Sequence, residues 1–206
     1  MEIYPENNSV VKLNIICVAY ERPIPLRILI DSFMVQTNPF WSLRIIHDGP
    51  ASEKIKQIMA LPEYKDNRIK FTETPKRSGK WGHPNRQLGL GELAYSHRDF
   101  VLITNDDNYY VPEFVDQMLQ AARSQVGMVY CDTVHSYLKY AVLSSELKVD
   151  RIDMGSFIVR VDIAKKVGFI NMEMNADGYY AVRCAAYCKK MNLKIKAIRR
   201  PIFVHN

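Results

Sequence analysis

Two adjacent carboxylates, Asp106 and Asp107, stand between Asn105 and Asn108, directly after the apolar run Phe100–Ile103. Neighbouring like charges disfavour each other's ionisation, so the pair is best tolerated where a cation or hydrogen-bond donors compensate it. Hard cations such as Mg²⁺ and Mn²⁺ take oxygen ligands, often one or two carboxylates plus substrate phosphates. The chemistry on offer is therefore cation-assisted work on a phosphorylated ligand. A solvated turn is the alternative, because Asn and Asp are ordinary turn residues.

The elements around this turn explain why it would face a ligand. Phe100–Ile103 reads as a buried strand, and Pro112 opens a helical pattern through Phe114, Met118 and Leu119. The carboxylates thus lie at the carboxyl end of a strand just before a helix, the edge where open α/β sheets bind ligands. Upstream, Leu13–Ala19 is a continuous apolar run typical of a strand buried on both faces. Leu26, Leu29, Ile30 and Phe33 follow at helical spacing. Leu43–His47 is a second strand ending in Asp48-Gly49, and Ser52 is the expected N-cap of the next helix. Ile69–Glu73 is a third strand, followed by the basic, glycine-bearing loop Pro75–Gly82 and a helix over Asn85–Tyr95. This alternation predicts a mostly parallel sheet covered on both faces.

The second half reads as a strand over Val126–Cys131, then antiparallel strands over His135–Leu143 and Asp153–Val161. A short helix over Asp162–Val167, a longer one over Tyr179–Met191, and strands over Ile195–Ile198 and Ile202–Val204 complete the chain. No repeat or linker interrupts it, so one domain over 1–206 with two halves is expected.

Several function classes lack their motif. Gly89-Leu-Gly91-Glu-Leu-Ala94 matches a dinucleotide fingerprint formally, but it lies inside a helical pattern with no strand before it. Ser78-Gly-Lys80 is too short for a phosphate loop, and no nucleophile elbow is present. Cys17 and Cys131 lie in apolar runs, and Cys184 and Cys188 are four apart on a helix without a second pair at zinc spacing. That usage fits a reducing compartment, so a cytoplasmic location is expected. The net charge of +6 favours anionic partners, but no lysine and arginine cluster suggests nucleic acid. No apolar run approaches a membrane span; peripheral contact with the inner membrane face stays open.

Four stretches carry a resemblance: Ala19-Tyr20-Glu21-Arg22, His47-Asp48-Gly49, Ser78-Gly79 with Asn85-Arg86, and Asn105-Asp106-Asp107, each ending a strand or lying in the basic loop. In this order they resemble a family 2 glycosyltransferase of the GT-A fold. Gly155–Arg160 followed by Ala164–Phe169 looks like that family's acceptor-side strand and the helix after it. The resemblance implies a nucleotide-sugar-binding half over about 10–110 and an acceptor-side half, with a small antiparallel sheet, over about 111–206.

It also implies roles. Asp107 matches the last aspartate of the family's Asp-x-Asp motif and is the expected ligand for Mn²⁺ or Mg²⁺. Asp106 would contact the ribose or metal waters. Asn105 replaces the first aspartate and would hydrogen-bond a ribose hydroxyl. Asp48 would accept a hydrogen bond from a uracil ring, His47 replaces the more usual acid before it, and Tyr20 would stack on the base. Of Arg22, Arg77, Lys80 and Arg86, one or two would neutralise the diphosphate. Asp177 stands where the family places an acidic pair, and would take the acceptor's proton; capping the Tyr179 helix is its alternative role. Asp153 is the reserve base, and His205 resembles a terminal histidine that ligates the metal.

The implied function is a metal-dependent, inverting glycosyltransferase moving sugar from a nucleoside diphosphate sugar, expected to be a UDP-sugar, to a hydroxyl on a saccharide or lipid-linked acceptor. Two rivals remain: a GT-A protein that binds a nucleotide without transfer, and a sugar nucleotidyltransferase, whose glycine- and arginine-rich loop is missing after Ala19.

Overall fold

The computed structural model describes residues 10–123 and 125–206. In chain order the elements are β1 (Leu13–Ala19), α1 (Pro23–Met34), β2 (Trp41–His47), α2 (Glu53–Met59), β3 (Ile69–Glu73), α3 (His83–Glu92), β4 (Phe100–Asn105), β5 (Tyr109–Tyr110), α4 (Phe114–Ala121), β6 (Val126–His135), β7 (Ala141–Leu143), β8 (Phe157–Arg160), α5 (Val161–Val167), α6 (Ala176–Lys190) and β9 (Lys194–His205). The strands form one sheet in the order β3-β2-β1-β4-β8-β6-β9-β5, with β7 paired to β6.

The apolar runs become strands because both sheet faces are covered. On β1, Ile15 and Cys17 pack with α1, α2 and α4 through Leu29, Phe33, Ile55 and Phe114. Ile16 points the other way, toward Leu90 of α3, Ile163 of α5 and Ala181 and Cys184 of α6. Strand β4 divides likewise, Phe100 and Leu102 to the first core, Val101 and Ile103 to the second. Gly89 belongs to this packing. A Cβ there would stand 2.7 Å from Ile16 Cγ2, so a glycine lets α3 lie close on the sheet.

Strand direction decides where the site falls. Strands β1, β2, β3 and β4 are mutually parallel, β8 runs against β4, β6 against β8, and β9 runs with β6. Six strands therefore share one direction, and Ala19, His47, Asn105, His135 and His205 all lie at one edge. The antiparallel strands extend this sheet rather than forming a second one.

Several local expectations are corrected. Ser52 precedes α2 without a side-chain cap, and its N–H instead reaches Glu21 Oε1 at 2.9 Å. Helix α4 begins at Phe114, two residues after Pro112. The span His135–Leu143 is a hairpin: β6 continues to His135, a 3-10 turn covers Ser136–Leu138, and β7 returns. Met154–Ser156 is another 3-10 turn ahead of β8. The last two expected strands are one, β9, whose pairing with β6 shifts register around Asp132. A bulge of this kind adds a residue without ending the strand.

Candidate active site

At the shared edge lies a cleft of about 690 Å³, within the usual range for small-molecule sites. Beside it is a second cavity of about 530 Å³, and Asp153, Met174, Asp177 and His205 line both.

Strand register builds one wall. Ala19 pairs with His47, and the Asp48 N–H donates to the Ala19 carbonyl at 2.9 Å. Asp48 is 3% exposed. Its Oδ1 accepts the Ser78 N–H at 2.8 Å and the Asn85 amide at 3.0 Å, and its Oδ2 accepts the Gly79 N–H at 2.9 Å. A carboxylate offers about four acceptor positions, so one direction on Oδ2 is left for a ligand. The carboxylate also anchors the loop Gly79–Gly82, whose four residues all have positive φ (64°, 50°, 52° and 79°). At Gly82 a Cβ would lie 2.4 Å from Val18 Cγ1, so only glycine fits there. The loop leaves Trp81 62% exposed in the cleft.

His47 is a buried support. Its Nε2 accepts the Glu21 N–H at 3.2 Å, and its Nδ1 lies 2.8 Å from the Gly49 carbonyl, the tautomer these two partners require. Tyr20 meets the Arg77 guanidinium, 3.7 Å from the ring centroid, so one face of its ring is already covered.

Arg86 is the cleft's buried cation, 4% exposed. One of its nitrogens donates to His83 Nδ1 and another to Asn105 Oδ1 at 2.5 Å, while Nε is buried with no partner. Burial lowers the Arg86 pKa to about 10, and burial with the Arg86 charge lowers His83 to about 4. His83 is therefore neutral and Arg86 charged. Asn105, the expected ribose contact, spends its oxygen on Arg86.

Arg22 joins both aspartates of the turn. Its guanidinium contacts Asp106 Oδ1 and Asp107 Oδ2. Asp106 is fully buried, also accepts the Tyr20 N–H at 3.0 Å, and is not part of the cleft lining. Its expected contact with a ribose or metal waters is corrected to a supporting role. Burial raises its carboxyl to about 6, against the pull of Arg22. Asp107 does line the cleft, and its Oδ1 is buried without a partner. Asn108, which the sequence did not single out, lines it too with an unpartnered buried Oδ1. Of the four candidate cations, Arg22, Arg77 and Arg86 line the cleft and Lys80 does not.

Asp177 lies in the first turn of α6, whose N-cap is Asn175, so the capping alternative is corrected. Its Oδ1 accepts the Gly178 N–H at 2.8 Å. Burial raises its pKa, which the Gly178 N–H opposes and the Asp153 charge assists. Opposite it, His205 sits beside Asp153 and His135, another residue the sequence did not single out.

An orphaned acceptor such as Asp107 Oδ1 suits a divalent cation, and so do the imidazoles and carboxylate of the His135–Asp153–His205 group. Among the described residues no helix is long and apolar enough to cross a membrane. The four cysteines are free and buried.

No protein-family model and no curated protein sequence matches the chain. Solved structures do. Residues 1–349 of S. aureus TarS superpose with a TM-score of 0.73 at 16% identity, covering 95% of this chain and 60% of that one. The same protein in complex with UDP-GlcNAc gives 0.71 at 15% identity, with 95% and 58% covered. The mannosyltransferase PcManGT from Pyrobaculum calidifontis, in complex with GDP-Man and Mn²⁺, gives 0.66 at 14% identity, with 99% and 59% covered. The chain thus spans about three fifths of the length of these structures. TarS and PcManGT are GT-A glycosyltransferases, and the mixed sheet with its flanking helices gives this chain the GT-A fold.

Proposed function

We propose that this cleft binds a nucleoside diphosphate sugar, a UDP-sugar foremost, and transfers the sugar with inversion to a hydroxyl of a saccharide or lipid-linked acceptor. The observation that carries the reading is the pairing across one cleft of two carboxylates in different states. Asp107 offers an unpartnered oxygen, and Asp177 is a half-buried acid with a raised pKa. Environments that separate two carboxylates in this way divide roles between them. Glycosyltransferases of the same fold solved with UDP-GlcNAc and with GDP-Man and Mn²⁺ support the donor class.

Each residue then has a task. The free direction on Asp48 Oδ2 accepts an imide N–H of the base, a charge-assisted bond. Tyr20, with its one uncovered face, flanks the base. Arg86 directs its unpartnered Nε–H at the anionic donor from a water-poor wall, where such a charge acts strongly. Asp107 Oδ1 holds the divalent cation. When bound, that cation would offset the charge growing on the departing diphosphate. Asp177, at the junction with the second cavity, takes the proton from the acceptor hydroxyl as its oxygen attacks the anomeric carbon. The acceptor enters from the second cavity.

One observation favours the reading of nucleotide binding without transfer: Arg22 already compensates Asp107, and Asn105 is tied to Arg86. A melting-temperature panel of UDP, GDP, UDP-GlcNAc and GDP-mannose, each with and without Mn²⁺, tests the donor class, because a ligand of the native state raises the melting temperature. A Mn²⁺-enhanced shift with a uridine nucleotide supports the proposal. No shift with any of them refutes it. Release of UDP on adding UDP-sugar separates transfer or hydrolysis from binding alone.

A further inference from the structure

Strands β6 and β9 run parallel, and His135 and His205 are partners in register at their ends. Side chains of paired residues leave the same face, so the rings are neighbours, with centroids 5.0 Å apart. Asp153, from the loop before β8, reaches both. Its Oδ2 lies 3.0 Å from His135 Nε2 and its Oδ1 lies 2.9 Å from His205 Nδ1. Three distant segments thus bring two imidazoles and one carboxylate to a point.

A plain hydrogen-bonded His–Asp–His knot would align each N–H with an oxygen. Here His205 Nδ1 is buried with no aligned hydrogen-bond partner despite the close carboxylate. His135 Nδ1 is 2.5 Å from the Tyr137 hydroxyl. With Nδ1–H donating to Tyr137, the Nε2 lone pair faces Asp153, an arrangement a cation between them resolves. Metal-ligating histidines are commonly held in this way, through the second ring nitrogen.

We propose that His135, Asp153 and His205 form a divalent-cation site of the nitrogen-bearing, transition-metal type, on the acceptor side of the cleft. Their ligand atoms all lie within 4.8 Å of one another. Atoms bound to one ion stand at most about 4.2 Å apart, twice a metal–nitrogen distance of ~2.1 Å, so a small inward shift completes the set. Two imidazoles and a carboxylate suit Mn²⁺, Co²⁺ or Zn²⁺, whereas Mg²⁺ prefers an all-oxygen octahedron. Asp107 is the nearby oxygen donor: the Asn206 side chain, next to His205, donates to the Asp107 carbonyl at 2.8 Å. A carboxylate committed to a metal is a poor base, which leaves Asp177 to that role. The proposal deepens the glycosyltransferase reading by naming the cation's class and its ligands, but its test does not depend on a nucleotide.

The test uses the full chain, stripped of metal by a chelator, and Co²⁺ alone, followed by visible absorption and calorimetry. One equivalent should bind, with ligand-field bands, and about a 100-fold excess of Mg²⁺ should not displace it. His135→Ala and Asp153→Asn should each weaken Co²⁺ by about 100-fold or more, beyond the roughly 10–100-fold seen for outer-shell partners, and Tyr137→Phe by about 10-fold. Asp107→Asn should keep Co²⁺ binding in the absence of nucleotide. Spin-echo spectroscopy of the wild-type protein with Mn²⁺ adds a readout that no variant's folding can confound, and should show nitrogen coupling. Absence of stoichiometric Co²⁺ binding, of nitrogen coupling, or of any effect of a folded His135→Ala variant overturns the site. Uridine nucleotides that bind while Co²⁺ does not would remove the site and keep the donor reading; the reverse would remove the donor reading and keep the site.

Discussion

Arg22, three residues past the end of β1, grips Asp107, 85 residues later in the chain, while its second nitrogen holds the buried Asp106. The guanidinium compensates the adjacent carboxylates that made this turn conspicuous. Asp106 is spent on architecture, and Asp107 keeps one oxygen free.

Removing the guanidinium should therefore destabilise the fold through Asp106. Arg22→Ala leaves a buried carboxylate with only the Tyr20 N–H, and a cost of about 1–3 kcal/mol is expected, because Arg22 itself is half-exposed. Adding Asp106→Asn should recover much of that loss. Urea denaturation of both single variants and the double variant gives the coupling. Additive losses would show that Arg22 does not act through Asp106.

Asp107→Ala should abolish cation-assisted nucleotide binding and leave the melting temperature nearly unchanged, since Oδ1 has no partner to lose. Calorimetry of UDP with and without Mn²⁺ checks this. Full Mn²⁺-dependent affinity in the variant would remove Asp107 from the site.

Asp48→Ala should weaken UDP by about 1.5–3 kcal/mol, the scale of hydrogen bonds to a charged group. Inorganic diphosphate should lose less, because the carboxylate reaches it only indirectly, through the Ser78–Gly79 loop. Equal losses for UDP and diphosphate in a calorimetric comparison would assign Asp48 to loop support alone.

The raised Asp177 pKa has two consequences. A base works deprotonated, so transfer should fall away at a pH above the ordinary carboxylate range as pH drops. For stability the sign is opposite. A folded-state pKa above the unfolded one means that this group favours folding at low pH, and that the contribution is lost as pH rises through the folded value. Asp177→Asn should therefore melt higher than wild type at neutral pH, with the gap closing in acid. A wild-type acid limb at the ordinary carboxylate pKa, or an unchanged melting gap across pH, would count against a perturbed Asp177.

The sheet was legible because its strands are buried on both faces, so Leu13–Ala19 and Phe100–Ile103 show as unbroken apolar runs. Chain breaks were less legible where tertiary contacts decide them. Arg199 splits β9 on paper, yet in the fold it reaches Asp132 and the Ser145 carbonyl while the strand continues. The donor-side residues were readable because they follow strand ends in sequence. His135 was not, since a single histidine has no spacing signal; only the register of β6 with β9 sets it beside His205. Asp106 was misjudged for a related reason: from sequence, its neighbour Asp107 looks the same, and only the fold shows which one is buried.

The account's central claim is that Asp177 takes the acceptor's proton while a nucleoside diphosphate leaves. Its most direct test is UDP release at saturating UDP-sugar with a competent acceptor, for wild type and Asp177→Asn, alongside UDP affinity for both. The account predicts unchanged UDP affinity and turnover lower by about 10²–10⁴-fold, the usual worth of a general base. Turnover equal to wild type at equal affinity would contradict it.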